Sequence, residues 1–97
     1  MNALLSTLLN RHNRNDVAET LGLYEHELNV SFRAHFVKNG TRIICLTSDG
    51  ICPCTEIPHN SGTDRIVQSI SELLDDVNMY FNTSLTKLKM KREIRGE

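Results

Sequence analysis

The chain lacks tryptophan altogether and has only three Phe and two Tyr among its 97 residues. A core without large aromatics is modest, and a partner surface has room to share its burial. Two prolines, no internal repeat and no low-complexity stretch exclude a repeat array or a Pro-rich linker. The three cysteines, an odd number, do not make a disulfide framework and fit a reducing compartment. Charge of one sign is also missing. Eleven Lys and Arg face twelve Asp and Glu, a formal net charge of −1. That excludes a strongly basic nucleic-acid binder on bulk electrostatics, though not a local patch. No apolar run is long enough to span a bilayer, and the start, MNALLSTLLNRHN, is too short and polar for a secretory signal. The expectation is a single intracellular domain, cytoplasmic or nuclear.

What the chain does have is one long periodic stretch, Ser61 to Arg92. Its apolar positions Ile66, Ile70, Leu73, Leu74, Val77, Phe81, Leu85 and Leu88 step by three or four. That spacing predicts one amphipathic helix over 61–92. Ser61 or Thr63 is expected to cap it, and Asp64 suits the exposed N–H groups of its first turn. Its far end is cationic, with Lys87, Lys89, Lys91, Arg92 and Arg95 against Glu93 and Glu97.

Upstream, Leu4, Leu5, Leu8 and Leu9 mark a short helix, and Asp16 to Leu21 a second, with Gly22 as a natural stop. From Glu27 to Phe36, the apolar residues Leu28, Val30, Phe32, Ala34 and Phe36 alternate with polar ones, the signature of a strand buried on one face. Asn39-Gly40 signals a type I′ hairpin turn, and Thr41 to Thr47 reads as the returning strand. A third strand is expected within 51–57, where Pro53 confines it to an edge. The predicted architecture is α+β in one domain: a helical arm over 1–23, a two- or three-stranded antiparallel meander over 27–57, and the long helix packed on the sheet.

Signals for chemistry are few. Val17 to Leu23 resembles the first helix and turn of a helix-turn-helix, which would make Glu25 to Phe36 a recognition helix. That stretch alternates like a strand, and Glu25 and Glu27 would face phosphates, so a docked helical hairpin is the plainer reading. Cys45, Cys52, Cys54 and His59 supply soft ligands, but one residue between Cys52 and Cys54 is tighter than structural zinc sites use. Cysteine with His35 or His59 could supply a nucleophile and its base. A Gly-rich phosphate loop, a nucleophile elbow and a His-Glu metal motif are all missing, and nothing implies a cofactor. Three matches to the glycosylation sequon, at Asn29, Asn39 and Asn82, are expected by chance without a leader. The helix's acidic first half and basic end would let two copies pair antiparallel, and the basic end alone could touch RNA.

A hairpin turning at Lys38-Asn39-Gly40, with its return strand Arg42-Ile43-Ile44-Cys45, is followed by Ile70-Ser71-Glu72-Leu73-Leu74-Asp75-Asp76-Val77-Asn78 and Phe81-Asn82-Thr83. This order resembles the small accessory subunit of the eukaryotic KEOPS tRNA-modification complex over about residues 27–92. Residues 1–22 have no counterpart in that family, 51–57 reads as an insertion, and the family's acidic tail is missing. The resemblance implies a non-catalytic role, with the hairpin adding strands to a neighbouring subunit's sheet and the helix lying on that subunit's helices.

The expected function is therefore a non-enzymatic protein–protein interaction subunit or homodimer, with a helix-turn-helix DNA-binding regulator as the alternative. The candidate partner-binding residues are Phe32 and Phe36 on the sheet, with Leu73, Val77, Phe81 and Leu85 on the helix.

Overall fold

The computed structural model describes residues 1–48, 50 and 52–81. Two helices, α1 (Ala3–Arg11) and α2 (Asn15–Leu28), precede three strands, β1 (Ser31–Val37), β2 (Gly40–Leu46) and β3 (Cys54–Pro58); α3 (Thr63–Tyr80) follows. The strands form one antiparallel sheet in the order β1-β2-β3, and α3 packs on it, which is the α+β architecture the sequence predicts.

Alternation decides which face is covered. Phe32 and Ala34 of β1, Ile43 and Cys45 of β2 and Ile57 of β3 are buried, while Arg33, His35, Cys54 and Glu56 are exposed. The buried face meets Leu5 and Leu9 of α1, Val17, Leu21 and Tyr24 of α2, and the α3 stripe Ile66, Val67, Ile70, Leu73, Leu74 and Val77 in one cluster. Burying such a side chain is worth about 1.5–3 kcal/mol, so this stripe, not helix propensity, holds α3 in place. Tyr24 sits edge-on to Phe32, and its hydroxyl accepts from Asn78 Nδ2 at 2.9 Å, which ties α2 to α3.

Several boundaries differ from the sequence reading. Helix α2 does not stop at Gly22 but runs on to Leu28, because Leu21 and Tyr24 extend its buried stripe across the glycine. It ends at Asn29, whose left-handed conformation (φ 55°) sends its N–H back to the Glu25 carbonyl. Leu28 is thus helical, and the strand begins at Ser31. The turn that a helix-turn-helix requires at Gly22 does not exist, and Glu25 to Phe36 is divided between α2 and β1. The hairpin turn is also placed differently. Val37 pairs with Gly40, so Lys38 and Asn39 form the loop, and neither has positive φ. Gly40 is a strand residue instead. A Cβ there would sit 2.0 Å from the Ile57 carbonyl oxygen, so the bare position lets β3 come alongside.

At the start of α3, neither Ser61 nor Thr63 caps the helix. The N-cap is Gly62, Ser61 donates to the Pro58 carbonyl, and Thr63 Oγ1 bonds His12 Nδ1 at 2.8 Å. The predicted continuation of this helix to Arg92, with Leu85, Leu88 and the cationic end, falls outside the described residues. At the start of α2, burial pushes the Asp16 carboxyl up. The Arg14 guanidinium, bonded to both its oxygens at 2.9 and 2.7 Å, and the Val17 N–H outweigh this and hold it below the usual range.

Candidate functional site

A three-stranded sheet has two edges, and each presents backbone groups that something must satisfy. On β1 those groups belong to alternate residues, beginning with Phe32. The Phe32 N–H donates to Glu25 Oε2 at 2.7 Å, and the Met1 amino group donates to the same oxygen at 2.8 Å. At Ala34, the N–H donates to Asn2 Oδ1 at 3.0 Å, while Asn2 Nδ2 donates to the Ala34 carbonyl at 2.8 Å. The Asn2 amide thus does what a neighbouring strand would do, and the same Oδ1 accepts from Leu5 N–H as the cap of α1. On this edge the Phe32 N–H and both backbone groups of Ala34 are thus taken by the protein's own side chains.

The β3 edge is different. Cys45 donates its N–H to the Pro53 carbonyl at 2.9 Å, so the odd-numbered residues 53, 55 and 57 face β2. Cys54 and Glu56 therefore turn their N–H and C=O groups away from the sheet, and those groups have no partner among the described residues. Pro58 follows without an N–H, and its carbonyl is taken by Ser61. Prolines bracket the open stretch at Pro53 and Pro58. They shorten the edge without closing it, which limits pairing to one short register. Glu56 holds its carboxylate against Arg42 on the exposed face, at 2.8 and 3.2 Å, clear of the edge.

The residues picked from the sequence for partner binding are not brought together. Phe32, Leu73 and Val77 lie inside the core, each at most 1% exposed. Phe81 is half-buried against that core, and Leu85 falls outside the described residues. Of the five that are described, Phe36 alone stands on the surface, 71% exposed, on the covered face beside α1 but not beneath it. The cysteines and His59 do not converge either. Cys45 is buried on the covered face while Cys52 and Cys54 are exposed, and no group of three or more His, Cys, Asp or Glu among the described residues could hold a metal ion. Burial, with the charges of Cys52 and Glu25 nearby, pushes the Cys45 thiol up to about 11, which suppresses its thiolate.

Asn2 and Glu25, the residues that finish the β1 edge, carry no local signal; each acts across the fold. The edge status of β3, by contrast, was announced by Pro53. No family model, curated protein or solved structure matches the chain. Among the described residues no helix is long and apolar enough to cross a membrane.

Proposed function

We propose that the chain is a non-enzymatic protein–protein interaction subunit that accepts a partner's strand along the outer edge of β3. The observation that carries this is the asymmetry of the sheet: on one edge Asn2 and Glu25 take the Phe32 N–H and both backbone groups of Ala34, while on the other the backbone groups of Cys54 and Glu56 have no partner among the described residues. In the simplest arrangement the partner is a second copy, related by a two-fold axis at Thr55. Cys54 of each copy then faces Glu56 of the other, and four main-chain hydrogen bonds form. At about 1 kcal/mol net each, these set register, and side chains around them supply the remaining affinity. The resemblance to the KEOPS accessory subunit supports the same class of role, with a neighbouring subunit as partner in tRNA modification.

The test is Glu56→Pro. It removes an N–H that points away from the sheet, so the internal ladder stays intact and far-UV dichroism should not change. Native mass and sedimentation should show association with a second copy, or with a co-purifying partner, weakened at least about tenfold. Unaltered association in that variant would remove the β3 edge from the interface. Thr55→Pro is the control, since its N–H faces β2 and its loss should damage the fold itself.

A further inference from the structure

The inward-facing residues nearest the hairpin turn form one row across all three strands, Phe36 opposite Thr41 and Thr41 opposite Ile57. This row is the floor of a groove of about 260 Å³. Leu4, Thr7, Leu8 and Arg11 of α1 make one wall, and the 58–61 loop with Ile66 makes the other. Leu4, Leu8, Phe36, Ile57, Pro58 and Ile66 make up the apolar part of the lining. Phe36 lines it while 71% exposed, an arrangement that costs free energy while no described residue covers the ring.

Arg11 is the one Lys or Arg in the lining, beside the neutral polar groups of Thr7, Thr41, Asn60 and Ser61. His12 and His59 also line it, and no carboxylate does. The two imidazoles are tied down, His12 to Thr63 Oγ1 at 2.8 Å and His59 Nε2 to the Lys38 carbonyl at 3.3 Å. Arg11 has no hydrogen-bond or ion-pair partner among the described residues. Apolar side chains beside an unengaged guanidinium complement an amphiphile with a single negative end. A cavity of about 150 Å³ holds benzene, so this volume suits a body of roughly ten non-hydrogen atoms.

We propose that this groove binds a free medium-chain carboxylate, its alkyl chain over Phe36 and Ile57 and its carboxylate on Arg11. The site is separate from the β3 edge and stands or falls without it. The experiment is a titration of the full chain with octanoate, followed by amide chemical shifts, with octan-1-ol as the neutral counterpart. Octanoate should give saturable shifts at Thr7, Arg11, Thr41 and Asn60 with a Kd of about 0.1–3 mM, and octanol should bind at least about fivefold more weakly. Arg11→Gln, an exposed change that leaves the core untouched, should erase that preference, weakening octanoate about fivefold and leaving octanol unchanged. Phe36→Ala should weaken both probes alike. Equal binding of the two probes to the unmodified chain, shifts confined to the opposite sheet face, or no saturable response at all would each overturn the assignment.

Discussion

The two edges of the sheet are finished by different means. Along β1, the N-cap asparagine of α1 and a glutamate of α2 take the Phe32 N–H and both backbone groups of Ala34. Along β3, two prolines limit the edge but leave Cys54 and Glu56 facing outward. Either device guards against indiscriminate strand pairing. The second leaves two successive outward residues unpaired among the described residues, and it restricts any pairing there to a short register. The β1 side chains serve the fold, and the β3 edge is where we propose that a partner strand is added.

The largest way to break this contrast is to detach β3 altogether. Gly40→Ala would drive a Cβ into the Ile57 carbonyl, and we expect a loss of about 3 kcal/mol or more in urea unfolding. A loss below about 1 kcal/mol would mean that β3 shifts without resistance. Asn2→Ala removes the α1 cap and both bonds to Ala34 in one step, and should cost about 2–3 kcal/mol. It should also raise light scattering, because the β1 edge then has unpaired groups as well. Glu25→Gln keeps an acceptor for Phe32 but removes its charge, for an expected cost of about 1 kcal/mol and faster amide exchange at Phe32. The smallest effect is a rate difference. Iodoacetamide should modify Cys52 and Cys54 in the folded chain and spare Cys45, and labelling of Cys54 should slow as strand-mediated association increases. Equal labelling of all three thiols would show that the covered face opens readily.

Much of the fold was legible because periodicity reports packing directly. The i, i+3, i+4 steps from Ile66 to Val77 and the alternation of Phe32 with Ala34 are both borne out. Gly22 misled because its helix-breaking cost, about 1 kcal/mol, is smaller than the burial of Leu21 and Tyr24 on either side. Leu28 and Val30 continue the strand's alternation by coincidence, across the left-handed break at Asn29. Phe36 shows a deeper limit. Alternation assigns a side chain to a face but does not say whether a helix lies over it. The side-chain bonds to the β1 edge were illegible for a related reason: Asn2 meets Ala34 across 32 positions, and no local pattern encodes that meeting.

One further feature bears on how the chain folds. Asn13, Asn29 and Asn60, at φ 55°, 55° and 63°, occupy the left-handed corners after α1, after α2 and before α3. Glycine would bend there with less strain, but it would also leave the denatured polypeptide freer to wander. Asparagine tolerates the same bend while narrowing that wandering. The corners therefore carry a bias toward their native angles before any apolar surface has been buried, and exchanging all three for glycine would trade that bias for local ease.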